Sequence, residues 1–406
     1  MTYVIERLGH LGDGIADGPV YAPRTLPGEV VTGTLDGDTL RDIRIETPSA
    51  NRVRPPCRHF GACGACQLQH AADDFVENWK RKVVETALEA QGLSADVGPV
   101  VTSPPGSRRR ATLAARRTKR GALVGFHGRS SDTITEIPDC QLLHPRLMAA
   151  VPAARDLAVT GGSRKGNLAV AVTETLNGPD ILVRGGKPLN GPLRAALGDL
   201  ARRHDLARLS WEDEVIALRL PPEQQFGPAR VVPPPGAFLQ ATAEGEAALR
   251  SEVLRITHGA GRIVDLFAGC GTFSLPLAQY APVHAVEADA AMVAALDAGW
   301  RHAQGLKPVT HAARDLFRDP LEPAELAGFE AAVIDPPRAG AHAQIGRLAD
   351  SGIQRIAHVS CNPVTFARDA RTLVRAGYVM GPVRVIDQFR WSAHVELVAE
   401  FRREPV

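Results

Sequence analysis

Residues 263–287 read IVDLFAGCGTFSLPLAQYAPVHAVE, and the fold of the chain turns on this stretch. Ile263, Val264, Leu266 and Phe267 form a short apolar run, as expected of a parallel strand buried on both faces. A glycine-rich turn follows, Ala268-Gly269-Cys270-Gly271-Thr272, and an amphipathic helix is expected to start near Phe273. A second apolar run, Val283 to Val286, ends on Glu287. Strand, glycine turn, helix, strand and terminal carboxylate make a nucleotide-binding βαβ unit. The glycines let the backbone approach a ligand, and the carboxylate can accept hydrogen bonds from ribose hydroxyls.

Around this unit, residues 257–406 alternate strand and helix patterns. Strands are expected at 263–267, 283–287, 309–311, 331–334 and 355–359, followed by an antiparallel pair near 379–388 and 394–401. Such alternation predicts a doubly wound, mostly parallel α/β sheet of Rossmann-like type. Pro233-Pro234-Pro235-Gly236 marks the junction before it, and a helix is expected from about Glu244 to Ile256. Residues 1–50 alternate short apolar segments with turn signals such as Gly12-Asp13-Gly14 and Asp36-Gly37-Asp38, which predicts a small β-barrel. Three domains are expected: a barrel at 1–52, a mixed α/β region at 53–236 and the doubly wound sheet at 237–406.

The 406 residues carry a net charge of +2, so there is no global basic field and a nucleic-acid surface must come from local clustering. The segment 107–129, SRRRATLAARRTKRGALVGFHGR, supplies one: Arg108, Arg109, Arg110, Arg116, Arg117, Lys119, Arg120 and Arg129 fall within one expected hairpin. Such a face can meet RNA phosphates, although a charge run also serves as an ordinary solvated surface. Asp73 to Gly92 reads as a helix with Phe75, Trp79, Val83, Val84 and Leu88 on one side. No apolar run approaches a membrane span. The opening MTYVIERLGHLGDG has no basic or apolar leader pattern, so a cytoplasmic protein is expected. Nothing in the sequence calls for a protein partner.

Of six cysteines, Cys57, Cys63 and Cys66 sit in a Gly/Pro-rich loop with C-x5-C-x2-C spacing, and Cys140 lies downstream in IPDCQLLHP. In a reducing compartment this favours metal or cluster ligation over disulfides. Four thiolates suit zinc or an iron–sulfur cluster, and spacing does not choose between them. Cys361 follows the 355–359 strand in Ser360-Cys361-Asn362-Pro363. A helix opening near Val364 would favour its thiolate, as a nucleophile requires. Glu396 is expected inside an apolar strand, where burial would raise its pKa toward that of a general base. His394, on the same face, is expected to be exposed.

The turn at 265–271, of form D-x-F-x-G-x-G, is similar to the S-adenosylmethionine turn of class I methyltransferases. Taken together, FLQ at 238–240, DLFAGCGTF at 265–273, DPPRAG at 335–340, SCNPVTFARD at 360–369 and HVELV at 394–398 resemble the RNA uracil-C5 methyltransferase family. Its members make 5-methyluridine in ribosomal or transfer RNA, and the likeness spans nearly the whole chain. RLGHLGDGIAD at 7–17 with LPGEVV at 26–31 resembles the TRAM domain, an OB-like RNA-binding barrel. The resemblance implies S-adenosylmethionine contacts at Gln240, Phe267, Thr272, Glu287, Asp315 and Asp335. It also implies Cys361 as nucleophile and Glu396 as base. The four cysteines correspond to those that hold a [4Fe–4S] cluster in the ribosomal members, so large-subunit ribosomal RNA is the expected substrate and transfer RNA the alternative.

Departures from the family pattern are Thr272, where many members carry Asn, and Ser392-Ala393 before His394, where an aromatic is frequent. Enzymes that methylate exocyclic amines usually place an aromatic after Asp-Pro-Pro, whereas Arg338 stands here. A DNA cytosine-5 methyltransferase would carry its nucleophile one strand earlier than Cys361. A non-catalytic RNA-binding protein with a degenerate domain is disfavoured by Asp335, Cys361 and Glu396 all being present.

Overall fold

The computed structural model describes residues 1–403. The first five strands close into a barrel in which Thr2–Leu8 pairs antiparallel with both Gly14–Ala16 and Val30–Asp36. Ile5, Ala16, Val20, Ala22, Val31 and Leu40 fill it. This is the expected barrel.

A seven-stranded sheet follows. Its central strand, Leu168–Thr173, lies between Asp180–Arg184 and the expected hairpin, Arg110–Arg117 with Ala122–His127. Helices Val151–Gly161 and Gly191–Arg203 bury their apolar stripes against it, around Leu157, Leu197 and Trp211. The basic run divides on this scaffold. Arg109 is largely buried and ion-paired with Glu246, and its Nε donates to the Gln240 carbonyl at 2.9 Å. Arg129 pairs with Asp13 of the barrel. Both therefore act as internal clamps. Arg116, Arg117, Lys119 and Arg120 make no ion pair among the described residues.

The third sheet has eight strands, ordered 309–313, 283–287, 263–266, 331–334, 355–360, 397–403, 378–387 and 101–102. The first five are parallel and the 378–387/397–403 pair is antiparallel, as the sequence predicts. One boundary moves: the last strand begins at Leu397, so Glu396 lies just before it rather than within it. The helix expected at Phe273 is a single turn, Ser274–Leu277.

Segment 53–236 contributes to this sheet as well as to its own. Helix Asp73–Glu89 packs on helix Pro363–Arg375, and Val101–Thr102 pairs with the sheet edge. The helix buries Val76, Lys80, Val84 and Leu88, an i, i+4 stripe, and leaves Phe75, Trp79 and Val83 half-buried. The stripe is thus rotated from the expected one. Lys80 is fully buried because its ammonium meets the Asp387 carboxylate at 2.6 Å. Lys80→Ala leaves that carboxylate buried and unpaired, so a loss of about 3–5 kcal/mol in unfolding free energy is expected by urea titration. Adding Asp387→Asn should recover part of it.

No described helix is long and apolar enough to cross a membrane.

Candidate active site

The chain runs outward from Ile263–Leu266 through Val283–Glu287 to Val309–Ala313, then returns to place Ala331–Ile334 on the other side of Ile263–Leu266. This reversal opens a crevice at the carboxyl ends of the strands, the general position of ligand sites in such sheets. The glycine turn lines it. Gly269 and Gly271 have φ of +56° and +92°, and Phe267, a non-glycine, has +62°. At these angles a side chain is tolerated only where the surroundings enforce the backbone.

Glu287 supplies part of that enforcement: its Oε2 accepts from Gly269 N at 3.0 Å and its Oε1 from Asp289 N at 3.0 Å. Each carboxylate oxygen keeps a second lone pair for a ligand hydroxyl. Asp265 is fully buried; its Oδ2 accepts from Ser274 Oγ at 2.5 Å, while Oδ1 has no partner. Burial pushes this carboxyl up to about 7, with Asp335 and Glu287 adding to the rise and hydrogen bonds from Ser274 opposing it. Thr272 is half-buried in the same turn. Asp315 Oδ1 accepts from Phe317 N at 2.9 Å and so orders the neighbouring loop. The Phe317 ring sits 5.4 Å from that of Phe267. The sequence reading missed Phe317 because its aromatic partner is contributed by another loop.

Cys361 and Glu396 meet through strand register. Ser360 pairs with Leu397 in the antiparallel ladder, so the next residue on each strand, 361 and 396, stands opposite the other at the end of the sheet. Glu396 is buried, and its carbonyl accepts from Ile386 N at 2.8 Å. A chain of amides joins it to Asp335. Gln388 Nε2 donates to Glu396 Oε2 at 3.0 Å and to Gln240 Oε1 at 2.6 Å. Gln240 Nε2 donates to Asp335 Oδ2 at 3.2 Å. Gln240 and Gln388 are both buried. Gln388 was not singled out in the sequence, although a polar residue ending an apolar strand was a signal for it.

Burial, then the charge on Asp335, pushes Glu396 up to about 8, opposed by the Gln388 hydrogen bond; burial raises Asp335 to about 7. The raised carboxyl matches the expectation for Glu396. The thiol behaves differently from the expectation. Burial, followed by the charges of Glu396 and Asp335, pushes Cys361 up to about 12, and Arg338 opposes this only in part. The helix Pro363–Arg375 starts two residues later and is capped by Asn362, whose Oδ1 accepts from Val364 N at 3.1 Å. Burial and two nearby carboxyls outweigh a helix terminus that is already satisfied. A cation entering the crevice lowers all three groups together.

Cys361, Asn362, Arg338 and His394 open onto a cleft of about 900 Å³. Its far walls are Phe75, Trp79 and Val83 of the Asp73–Glu89 helix and Arg7, His10 and Leu11 of the barrel region. His394 is exposed there, as expected.

Cys57, Cys63 and Cys66 are buried and Cys140 is half-buried, all as free thiols. Burial pushes Cys66 up to about 12, and charge on Cys140, Cys63 and Cys57 adds to it. Cys63 and Cys140 rise for the same first reason. Arg24 lies beside Cys63 and Arg108 beside Cys66. The four thiols are neighbours, but among the described residues no three His, Cys, Asp or Glu side chains converge as a metal site. The loop is fastened to the segment carrying Glu396: Gln67 N and Leu68 N donate to the Trp391 carbonyl at 2.8 and 3.0 Å, and the Trp391 ring packs with Phe60 and Cys66.

Residues 232–402 match the tRNA (uracil-5-)-methyltransferase family. A Brucella suis protein named only as an RNA methyltransferase is 45% identical over 97% of this chain and 96% of its own length. The 23S rRNA (uracil(1939)-C(5))-methyltransferase RlmD of Alkalilimnicola ehrlichii is 32% identical over 98% and 96%. Among solved structures, the Pyrococcus abyssi tRNA (uracil-54, C5)-methyltransferase in complex with S-adenosyl-L-homocysteine covers 99% of both chains with a TM-score of 0.75 at 23% identity, a likeness of fold. Relatives that match end to end, together with the strand-end geometry of the crevice, place this chain in the RNA uracil-C5 methyltransferase family.

Proposed function

We propose that this chain methylates C5 of a uridine in large-subunit ribosomal RNA through a covalent bond between Cys361 Sγ and uracil C6. The observation that carries the reading is the register of the last ladder, which sets Cys361 opposite Glu396 at the rim of the glycine-turn crevice. S-adenosylmethionine, when bound, supplies an electrophilic methyl group and a positive charge. Glu287, which keeps a lone pair on each carboxylate oxygen, suits its hydroxyl groups. Phe267, Thr272 and Asp315 border the same crevice, and Gln240 and Asp335 orient either the amino-acid end of the donor or the uracil edge.

Uracil C5 is a poor nucleophile. Addition of the Cys361 sulfur to C6, its thiol proton passing to solvent, shifts the ring's electron pair toward C5, which would then take the methyl group as the donor's S–CH₃ bond breaks and leaves a neutral thioether. Glu396 accepts the C5 proton, and the pair left behind restores the C5–C6 double bond and expels the thiolate. The target base must leave its stack to reach Cys361. The cleft beside Cys361, with Trp79 and Phe75 on its wall and Arg7 and Lys82 at its edge, suits an unpaired RNA strand held by stacking and phosphate contacts. The Alkalilimnicola relative's name supports ribosomal RNA over transfer RNA, and a bacterial ribosomal RNA substrate implies a cytoplasmic enzyme.

The four cysteines fit a [4Fe–4S] cluster by the chemistry of the donor set: four free, crowded thiols, with Arg24 and Arg108 beside them to offset an anionic centre. The TRAM-like barrel packs beside them. Protein prepared without oxygen is expected to be brown and to contain iron; stoichiometric zinc without iron overturns the cluster assignment.

The test of function is to map 5-methyluridine in RNA from a strain lacking the gene, then to add back protein and labelled S-adenosylmethionine. Restoration of one 5-methyluridine in large-subunit ribosomal RNA is expected. Labelling of transfer RNA instead overturns the target, and methylation at any other atom overturns the reaction.

A further inference from the structure

We propose that Gln388 is a positioning residue for methyl transfer: its buried amide sets the orientation of Gln240 and holds Glu396 facing the crevice. This rests on the reading of Glu396 as the group that accepts the C5 proton. Gln388 follows the Tyr378–Asp387 strand and is 1% exposed. Its Oε1 accepts from the backbone N–H of Ala241 at 2.6 Å. A backbone N–H can only donate, so it dictates which end of the amide is oxygen. The NH₂ end is thereby aimed the other way, and each of its two protons has an acceptor, Gln240 Oε1 and Glu396 Oε2.

The orientation propagates. With its oxygen committed to Gln388, Gln240 must present Nε2 to Asp335, as observed at 3.2 Å. One backbone donor thus sets the orientation of two amides, which between them donate to two carboxyls of the site. The packing around Gln388 is built for this placement. A Cβ added at Gly245, in the first turn of helix Ala243–Thr257, would lie 2.6 Å from Gln388 Cβ and 2.8 Å from Thr242 Oγ1. Glycine weakens a helix at such a position, and the close approach of Gln388 is what requires it.

The consequence for the reaction follows from the sign of the contact. A donor on Glu396 favours its ionised form, the form that accepts a proton, against burial and the charge of Asp335. Gln388→Met keeps the volume and removes the donor. Glu396 then ionises at higher pH, so the ascending limb of the pH–rate profile is expected to move up by about one unit, with methylation at pH 7 falling about tenfold and recovering at higher pH. Gly245→Ala, which displaces Gln388 without altering its amide, is expected to move the limb the same way and serves as the second variant should Gln388→Met fail to fold.

RNA carrying 5-fluorouridine separates the outcomes. Its trapped adduct requires Cys361 addition and methyl transfer but no proton removal. Gln388→Met is expected to retain the adduct at saturating RNA while its limb on ordinary uridine moves. A loss of rate that is equal at every pH, or a limb that stays in place in the folded variants, overturns the proposal. Absence of the adduct in the unmodified protein removes the covalent reading itself and takes this proposal with it.

Discussion

Cys361→Ala is expected to abolish methyl transfer, with a fall on the order of 10⁵-fold or more, as when a covalent nucleophile is removed elsewhere. The fold should survive, because Cys361 is half-buried in a loop and closes no core. The glycine turn and Glu287 are held by hydrogen bonds among residues 265–289 and do not depend on the thiol. Binding of S-adenosylmethionine, measured by calorimetry, should therefore be retained while turnover is lost. With 5-fluorouridine RNA the unmodified protein should give an adduct that survives denaturing electrophoresis, and Cys361→Ala should give none. An adduct persisting in the variant would place the nucleophile elsewhere. The thiol's rise to about 12 makes the expectation sharper. A thiol held protonated by burial and nearby carboxyls is a weak nucleophile, so alkylation of Cys361 by iodoacetamide should be slow in the free protein.

Glu396→Gln is expected to slow turnover by on the order of 10²–10⁴-fold, the range for a lost general base. The loss falls on the last step, since the amide keeps the shape of the carboxylate but cannot take the C5 proton. Methylated RNA should remain attached to Cys361, so an adduct is expected to accumulate on ordinary uridine. The unmodified enzyme has a matching pH dependence. Glu396 accepts a proton only when ionised, and burial with Asp335 sets that ionisation at about 8. The rate should climb with pH as Glu396 ionises, and the Glu396→Gln variant should lose that part of the climb. A variant that turns over without accumulating adduct would remove Glu396 from the proton-transfer step.

Much of the catalytic sheet was legible because its signals are local. The apolar run before Gly269, the carboxylate ending the next strand and the turn before Cys361 each depend on residues within about ten positions. Strand boundaries therefore held to within a few residues. Reading failed where a side chain answers to a distant partner. Lys80 reads as the polar edge of an amphipathic helix, yet it is buried because Asp387 waits for it from another element. Arg109 reads as part of an RNA-facing basic run, yet Glu246 and the Gln240 carbonyl hold it inside. The single-turn helix after the glycine turn shows the same limit, since local periodicity there continues past Leu277, where the helix ends.

The sequence by itself determined the order of elements, the crevice and the residue types at its rim, because strand burial, glycine turns and helix starts are set by neighbours along the chain. Tertiary structure alone decided how those residues interact. Gln388 reaches Gln240 across 148 positions and Gln240 reaches Asp335 across 95. The shifts at Cys361 and Glu396 arise from charges and burial that exist only once the strands are paired. Electrostatic energies depend on distances in space and on exclusion of water, and neither is encoded in any one stretch of the chain.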